Sequence, residues 1–377
     1  MILTTCAACA APLAHDAPRC VWCKTRYCNA TCQHDHWRRG HKQICKKIHR
    51  GGNAEQYHAD KKCKEAVAVA VEACADDTKG QTCYICTEAL HWKTKEGLVR
   101  GCSCRGTAGL VHVSCLVEQA KTLVAEAQEN NWVGTKRFYA RWARWHTCSL
   151  CKQRHHGVVL CALGWASWKT YLSLPETDVT RAMAMSMLGN GLFDAKHDVD
   201  ALPVREAVLS LCRRLDGPEE NMLVAQGNLA SSYQMLGRGD LAVSMRRDIY
   251  AGHLKLSGEE HIETVREAIC YACALLNTSR FEDVKALMRK TLPAAQCILG
   301  ASHEFTLRVM GCYAEALYLD TGTTLKDLHE AVTTLEDAAQ IVRRVLGGVH
   351  PITEGIVEYL QEARTALGAR ETPPGDA

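Results

Sequence analysis

The first 151 residues contain two sets of closely spaced cysteine and histidine residues, the types that bind metal ions. The first set reads Cys6-x2-Cys9, Cys20-x2-Cys23, Cys28-x3-Cys32, His41-x3-Cys45, and the second reads Cys83-x2-Cys86, Cys102-x-Cys104, His112-x2-Cys115, Cys148-x2-Cys151. Each set contains seven cysteines and one histidine. Eight ligands are enough for two tetrahedral zinc sites, which take four each. The sequence therefore predicts two small zinc modules that hold four zinc ions in total.

The composition favours zinc over disulfides. The 377 residues include 22 cysteines, and the net charge of +3 indicates neither disorder nor a general polyanion-binding surface. No secretory signal is recognisable in Met1–Cys6, and the longest apolar stretch, Val158–Trp168, is too short to span a bilayer. Cysteine pairs at zinc spacing in a reducing compartment favour metal. We therefore expect a soluble protein, cytoplasmic and/or nuclear, with no membrane partner.

In the first module, His41 and Cys45 are four residues apart, a spacing that puts both side chains on one face of a short helix. The run from Tyr27 to Cys45 resembles the MYND finger, and the resemblance extends over residues 6–45. It includes residues that are not ligands, namely Gln33, His36 and Trp37. We place a MYND zinc finger at residues 1–48.

The MYND resemblance implies an interleaved ligand pairing. One zinc ion would be held by Cys6, Cys9, Cys28 and Cys32, and the other by Cys20, Cys23, His41 and Cys45. MYND fingers typically bind short proline-containing peptides, which makes Gln33 and Trp37 candidate peptide contacts. A second interpretation of Trp37 is that it packs over the zinc site. A module of this size needs its metal in order to fold.

The second module, at residues 81–170, has the ligand order C4HC3. A PHD finger has the same order, but the tight Cys102-Ser103-Cys104 and the following Arg105-Gly106-Thr107 resemble the RING-CH (RING-variant) domain instead. The resemblance implies a cross-braced arrangement of two zinc sites. One would take Cys83, Cys86, His112 and Cys115, and the other Cys102, Cys104, Cys148 and Cys151.

RING-CH domains are typically ubiquitin ligases, which orient a ubiquitin-charged conjugating enzyme and do no covalent chemistry themselves. By resemblance, Ile85 would be the apolar contact to that enzyme and Lys152 the basic contact. Two features depart from the family. The gap between Cys115 and Cys148 is 32 residues, and Gln119 stands where the family often has a tryptophan. These departures weigh against ligase activity, whereas zinc binding depends only on the ligand pattern.

The long gap contains aromatic residues interleaved with basic ones, a pattern that could bind nucleic acid. However, Phe138, Trp142 and Trp145 fall at helical spacing. We therefore predict an amphipathic helix packed on the zinc core and expect no nucleic-acid partner. Residues 49–80 read as a helical linker, on which Cys63 and Cys74 are packing residues.

From about residue 178 the sequence is repetitive. The frame Gly-x2-His-x2-Thr occurs at Gly258, Gly300 and Gly347, in steps of 42 and 47 residues, which is typical of stacked repeats. The segments resemble tetratricopeptide (TPR) repeats of the kinesin-light-chain type. We predict a TPR solenoid at 178–368, made of helix pairs at 178–215, 220–257, 262–299 and 304–346 with a capping helix near 351–368, and a disordered tail at 369–377.

Small residues recur at Ala230, Ala272 and Ala314, where paired helices would approach closely. Stacked pairs form a concave groove suited to peptides, and by resemblance Asn228 would contact a peptide backbone there. The repeated histidines lie a whole repeat apart, so we predict that they cap turns. The predicted fold class is mainly α, with two small zinc-stabilised α+β or irregular modules and a right-handed α-solenoid of helix hairpins.

Two functions fit these modules. The first is a RING-type E3 ubiquitin ligase whose MYND and TPR surfaces recruit the substrate. The alternative is a non-catalytic scaffold or adaptor with three protein-binding surfaces, which the long gap and Gln119 favour. Both make proteins or peptides the partners, and the first adds a ubiquitin-conjugating enzyme.

Overall fold

A computed structural model describes residues 5–14, 16–346 and 351–371. Sixteen α-helices lie in these ranges, and β-structure there is limited to isolated antiparallel bridges. The helices are α1 (Ala30–His36), α2 (Lys42–Arg50), α3 (Ala54–Ala73), α4 (Ala75–Thr78), α5 (Val113–Glu129), α6 (Lys136–Trp142), α7 (Gly157–Tyr171), α8 (Val179–Asp194), α9 (Asp198–Arg214), α10 (Glu219–Met235), α11 (Gly239–Ser257), α12 (Ile262–Leu276), α13 (Phe281–Leu299), α14 (Glu304–Leu319), α15 (Leu325–Leu346) and α16 (Pro351–Glu371). The prediction of a mainly α fold is confirmed.

The chain divides into two compact units, Met1–Ser232 and Tyr233–Ala377. The division lies inside α10, so the first predicted helix pair, α8 and α9, belongs to the same unit as both cysteine-rich modules. Within the described residues, no helix combines the length and the apolar character that crossing a bilayer requires.

In the first unit, α7 joins the cysteine-rich modules to the helices that follow, because it packs against both α3 and α8. Glycines allow α7 and α8 to approach closely. A Cβ atom added at Gly191 would lie 2.7 Å from the carbonyl oxygen of Leu160, and one at Gly164 would lie 3.1 Å from the Cα of Leu188. Helix α3, from the predicted linker, and helix α7, at the end of the predicted second module, thus pack together with α8.

In the second unit, α11 to α16 pack in sequence as successive antiparallel hairpins. Its core is apolar, with Ala272 and Ala314 fully buried where paired helices meet. Each of these helices buries a stripe against its neighbours, as a stacked repeat requires. The prediction of a C-terminal helical repeat is confirmed.

The repeated Gly-x2-His-x2-Thr frame closes the turn between one hairpin and the next. Gly258 has φ of 81°, which suits a residue without a Cβ atom. The hydroxyl of Thr264 donates to the carbonyl of Gly258 (2.7 Å), and Nδ1 of His261 accepts from the backbone N–H of Glu263 (3.3 Å). The same bonds recur at Gly300, so the predicted turn-capping role is confirmed for His261 and His303.

Two predicted features fall partly outside the described residues. The third copy of the frame begins within 347–350, which the structure does not describe, and residues 372–377 of the predicted tail lie outside it as well. Helix α16 continues to Glu371, three residues beyond the predicted end of the capping helix at 368.

Candidate metal centres and the surfaces around them

Four groups of cysteine and histidine side chains converge in the first unit, and within each group the ligand atoms lie within 4.8 Å of one another. Each group combines residues from distant parts of the sequence, in the interleaved and cross-braced pairings that the two resemblances imply. The groups are Cys6, Cys9, Cys28 and Cys32; Cys20, Cys23, His41 and Cys45; Cys83, Cys86, His112 and Cys115; and Cys102, Cys104, Cys148 and Cys151.

The distances between sulfur atoms fit tetrahedral coordination. With Zn–S bonds of about 2.3 Å, the edge of a tetrahedron of sulfur atoms is about 3.8 Å. The Sγ atoms of Cys20 and Cys45 are 3.7 Å apart, and those of Cys104 and Cys148 are 3.9 Å apart. The four groups are therefore able to bind ions such as zinc.

The two histidines use different ring nitrogens. Nε2 of His41 lies 3.3 Å from Sγ of Cys23, whereas Nδ1 of His112 lies 3.3 Å from Sγ of Cys86 and 3.6 Å from Sγ of Cys115. The far nitrogen of His112, Nε2, is 3.3 Å from the carbonyl oxygen of Ala89. Donation to that carbonyl selects the tautomer whose Nδ1 lone pair faces the thiols.

The electrostatics of the groups also suit a cation. Burial lowers the pKa of His41 and of His112, which keeps both imidazoles neutral and able to donate a lone pair. Burial raises the pKa of Cys45 to about 12 and raises the pKa of Cys115 well above its usual range. Such crowded, buried thiols deprotonate at neutral pH when a cation compensates the thiolate charge.

The Cys-x2-Cys segments fold as turns with one shared hydrogen-bond frame. The N–H of Cys83 donates to the carbonyl of Glu88 (3.0 Å), and the N–H of Thr87 donates back to the carbonyl of Cys83 (2.8 Å). Thr87 has φ of 64°. The segments that begin at Cys6, Cys20 and Cys148 show the same two bonds and the same positive φ. We call each such turn a knuckle.

In the first module, Trp37 is 42% exposed, and its ring lies edge-on to the ring of His41, with centroids 6.0 Å apart. It thus packs over a ligand of the second group while it keeps an exposed face, so both interpretations of Trp37 fit the structure. Gln33 is half-buried on α1, one turn before Trp37. His36 stacks on His41 at 4.7 Å and contacts the hydroxyl of buried Tyr27 through Nδ1 (3.0 Å).

The second module presents two apolar side chains at the tips of its first and last knuckles. Ile85 is 37% exposed and Leu150 is 48% exposed. Leu150 was not among the residues predicted from the sequence. The sequence did contain a pattern that could have identified it, because Leu150 has the same position in Cys148-x2-Cys151 that Ile85 has in Cys83-x2-Cys86. Lys152 donates from Nζ to the carbonyl of Ser149 (2.5 Å).

The gap between Cys115 and Cys148 contains the expected packed helix. Phe138, Trp142 and Trp145 of α6 and the turn after it are buried, and the last two contact Tyr171 of α7, each at a centroid distance of 5.7 Å. The prediction of an amphipathic helix packed on the module is confirmed.

Basic residues of this segment interact with its own side chains. The guanidinium groups of Arg137 and Arg141 lie 5.4 Å and 5.8 Å from the centre of the Trp132 ring. Arg141 also pairs with Glu126 at 3.1 Å. These contacts give the alternation of aromatic and basic residues a structural explanation, as cation–π and ion-pair contacts within the module.

Asn228 is half-buried on α10. Its backbone carbonyl accepts a hydrogen bond of 2.7 Å from the buried guanidinium of Arg205, which also donates to the hydroxyl of Ser232 (2.8 Å). This links α9 to α10 within the first unit.

Comparisons with known proteins bear on two parts of the chain. The family model of the RING-variant domain (RINGv) matches residues 83–151, and so confirms the RING-CH expectation for the second module. The MYND resemblance of the first module stays a prediction. A comparison with curated proteins gives no match.

Three solved structures resemble part of this chain. The TPR-like repeats of a Podosopora anserina protein described as a kinesin light chain are 21% identical, covering 51% of this chain and 89% of that one, with a TM-score of 0.43. A second crystal structure of these repeats, from a variant with one substitution, gives a TM-score of 0.44 at 21% identity, with coverage of 51% and 88%. BtubC (BKLC) from P. vanneervenii is 13% identical, with a TM-score of 0.34, and the alignment covers 70% of this chain and 96% of the BtubC chain.

Proposed function

We propose that this chain is a zinc-dependent RING-type E3 ubiquitin ligase. The observation that carries the proposal is the match of residues 83–151 to the RING-variant domain, together with ligand groups that converge in the cross-braced pairing. RING-CH domains typically hold a ubiquitin-charged conjugating enzyme so that its thioester lies in a reactive orientation. Rate enhancement then comes from positioning, and the ligase contributes no nucleophile of its own.

In this proposal the conjugating enzyme binds across the tips of the first and last knuckles. Ile85 and Leu150 supply exposed apolar contacts, and Lys152, at the end of the last knuckle, supplies a basic contact. Zinc ions bound by the two ligand groups would hold the backbone of both knuckles, so that these side chains are presented in a fixed arrangement before the enzyme arrives. A preorganised surface binds its partner at a smaller entropic cost.

The other modules would recruit the substrate. The first module would be a MYND finger that holds two of four zinc ions and binds peptides through Gln33 and Trp37. Trp37 supports this role because it combines an exposed face with a fixed orientation against His41. The helical repeat would bind a further segment in its concave groove, where Asn228 would contact the peptide backbone.

Autoubiquitination tests the proposal. The zinc-loaded chain is incubated with ubiquitin, activating enzyme and a broad panel of conjugating enzymes. We expect chain formation with at least one of them, abolished by Cys104→Ala and reduced at least tenfold by Ile85→Ala or Leu150→Ala. Val69→Ala is the matched control, because Val69 is also 48% exposed but lies on α3. Inactivity with every enzyme of the panel would reject a ligase function.

The alternative is a non-catalytic scaffold, which Gln119 favours. Gln119 is half-buried on α5, where the RING-CH resemblance leads us to expect the tryptophan that forms part of the partner surface. A scaffold would bind its protein partners through surfaces other than the knuckle tips. Partners captured equally by the unmodified chain and by Ile85→Ala, with no ubiquitin transfer, would support this function.

A further inference from the structure

Besides the four cysteine knuckles, a fifth turn, which lies in the second module, has the same hydrogen-bond frame but contains no cysteine. The N–H of His91 donates to the carbonyl of Glu96 (3.0 Å), and the N–H of Lys95 donates back to the carbonyl of His91 (2.9 Å). Lys95 has φ of 59°, like the corresponding residue of each cysteine knuckle. Residues 91–96 therefore form a knuckle that is held together by hydrogen bonds and not by a metal ion.

The side chains of His91 and Thr94 close this turn. Nδ1 of His91 accepts from the backbone N–H of Thr94 (3.2 Å) and from its hydroxyl (2.9 Å). His91 is buried, and its ring packs edge-on against the ring of His112, with centroids 5.4 Å apart. The turn is thus fixed to the module, while Trp92 at its tip is 68% exposed. An exposed tryptophan on a fixed backbone is a typical binding anchor.

The turn forms one wall of a groove of about 530 Å³, which we call the knuckle groove. The other walls are α3, α5 and α7. The apolar part of its lining includes Trp92, Val67, Val113, Val117 and Ala166. This volume falls within the range of sites that hold a few side chains of a ligand.

The knuckle groove and the proposed enzyme-binding surface lie on different sides of α5. Val113, Val117 and Lys121 line the groove. At about 100° per residue, Gln119 is rotated by roughly 160° from Val117 around the helix axis. By the RING-CH resemblance, the position of Gln119 is part of the surface that contacts the conjugating enzyme. Val117 in the groove and Gln119 thus face different sides of α5.

The rim of the groove is positively charged. It carries Lys93, Lys121 and Lys169, whereas one of the described lining residues, Glu118, has a carboxylate. Glu118 pairs with Lys121 at 2.9 Å. Just outside the groove, Asp60 lies 3.2 Å from Nζ of Lys169. The lining itself thus has a net positive charge around an apolar floor, with Lys93 on the same exposed turn as Trp92.

We propose that the knuckle groove binds a short acidic peptide segment of a partner protein. Apolar side chains of the segment pack against Trp92 and the floor, and its carboxylates pair with Lys93, because Lys121 and Lys169 already have carboxylate partners in Glu118 and Asp60. The apolar floor and the carboxylate of Glu118 favour a peptide over a nucleic acid, which needs phosphate contacts along a continuous basic track. The proposal concerns binding and does not depend on ligase activity.

The probes are two matched libraries of fluorescein-labelled heptapeptides, added to the full zinc-loaded chain and followed by anisotropy. One library alternates Leu or Phe with Asp or Glu, and the other has Asn or Gln at the acidic positions. We expect binding by acidic members at least tenfold tighter than by their neutral counterparts. Trp92→Ala and Lys93→Glu should each weaken that binding at least tenfold.

Two variants serve as matched controls. Trp22→Ala removes a tryptophan of similar exposure, 64%, from a knuckle of the first module, and Lys136→Glu reverses an exposed charge on α6. Both should leave peptide binding unchanged. Native mass spectrometry verifies that Trp92→Ala and Lys93→Glu retain the zinc content of the unmodified chain, so that a loss of binding reports on the groove.

Three results would overturn the proposal. They are equal binding of acidic and neutral peptides, binding that survives both Trp92→Ala and Lys93→Glu, and displacement of the acidic peptides by a twelve-residue oligothymidylate at lower concentration than by unlabelled peptide. Ile85→Ala separates this proposal from the ligase function. It should reduce ubiquitin transfer at least tenfold and retain peptide binding, so either proposal can fail while the other holds.

Discussion

The hydroxyl oxygen of Tyr84 lies 3.0 Å from the hydroxyl oxygen of Ser149, a residue 65 positions further along the chain. This hydrogen bond joins the first knuckle of the second module to the last. Because Ile85 and Leu150 follow these two residues directly, the bond also fixes the distance between the two exposed apolar tips. The geometry of the proposed enzyme-binding surface thus depends on this contact as well as on the two ligand groups.

Tyr84→Phe removes the hydroxyl and keeps the ring. A partly buried hydrogen bond of this kind contributes about 0.5–1.5 kcal/mol. We expect the variant to keep its zinc and to lose autoubiquitination by about two- to tenfold, because the knuckle tips gain freedom. Initial rates with one active conjugating enzyme measure the effect.

Ser149→Ala removes the other partner of the same bond and is the natural companion variant. The two changes should not add, because the double variant lacks one bond and not two. Strict additivity in a double-mutant cycle would show that the two hydroxyls act independently.

Gly109→Ala should cost the second module one zinc ion. A Cβ atom at Gly109 would lie 2.6 Å from Cβ of Cys104 and 3.2 Å from Sγ of Cys102, and the φ of 76° adds backbone strain. Both cysteines belong to the same ligand group, so the added methyl group displaces ligands directly. We expect native mass spectrometry to show one zinc ion fewer.

Gly106→Ala is the control for this change. Gly106 also has positive φ, 61°, but an added Cβ atom there has no neighbour within 4 Å. It carries the same strain without the clash, so the variant should keep the full zinc content. Equal zinc loss in both variants would assign the effect to the backbone and not to the ligand group.

The parts that the sequence predicted well are those that leave a regular spacing of residues. The convergence of cysteines such as Cys20 and Cys45 was predicted from spacing and family resemblance, and the Gly-x2-His-x2-Thr frame marks the described turns at Gly258 and Gly300. The fifth knuckle was missed because a hydrogen-bonded His91 and Thr94 close the turn that two cysteines close elsewhere. A search for cysteine pairs does not detect such a turn.

The division of the chain was harder to predict because it depends on contacts that leave no local pattern. Residues 81–170 read as a self-contained module, yet α7 at its end packs tightly on α8 through Gly164 and Gly191. A glycine in a helix can have several structural roles, and the sequence alone does not distinguish them. Only the helix that packs against the glycine shows that close approach is its role here. The first helix pair of the predicted solenoid therefore belongs to the first unit.

Glu267→Ala should destabilise the second unit strongly. Glu267 and Arg246 form a buried pair, with distances of 2.8 and 3.1 Å from one guanidinium nitrogen to the two carboxylate oxygens and side chains 5% and 8% exposed. Removing the carboxylate leaves the arginine charge buried, which typically costs about 3–5 kcal/mol. We expect amide hydrogen exchange in α11 and α12 to accelerate about 100-fold or more.

Two further variants test whether burial causes this effect. Asp283→Ala removes one partner of the exposed Arg280–Asp283 pair, whose side chains are 49% and 52% exposed, and should cost about 1 kcal/mol or less. Arg246→Met combined with Glu267→Leu removes both buried charges and should cost less than Glu267→Ala alone. A double variant as unstable as the single one would contradict this explanation.

Zinc removal should unfold the cysteine-rich modules and leave the second unit folded. The core of the first module consists largely of ligand residues, including Cys20, Cys23 and Cys45, packed around Tyr27 and Ile48. Thiols without metal cannot supply the folding free energy of so small a core.

The core of the second unit has a different composition. It is built from aliphatic and aromatic side chains, such as Val284, Met288, Leu307 and Leu317, and none of the four ligand groups lies in it. Excess 1,10-phenanthroline should therefore abolish amide protection at residues 20–45 and 83–115 and preserve it in α12 to α15. Readdition of zinc in reducing buffer should restore the lost protection. If α12 to α15 lost protection together with the cysteine-rich modules, zinc would have to stabilise the chain as one cooperative unit.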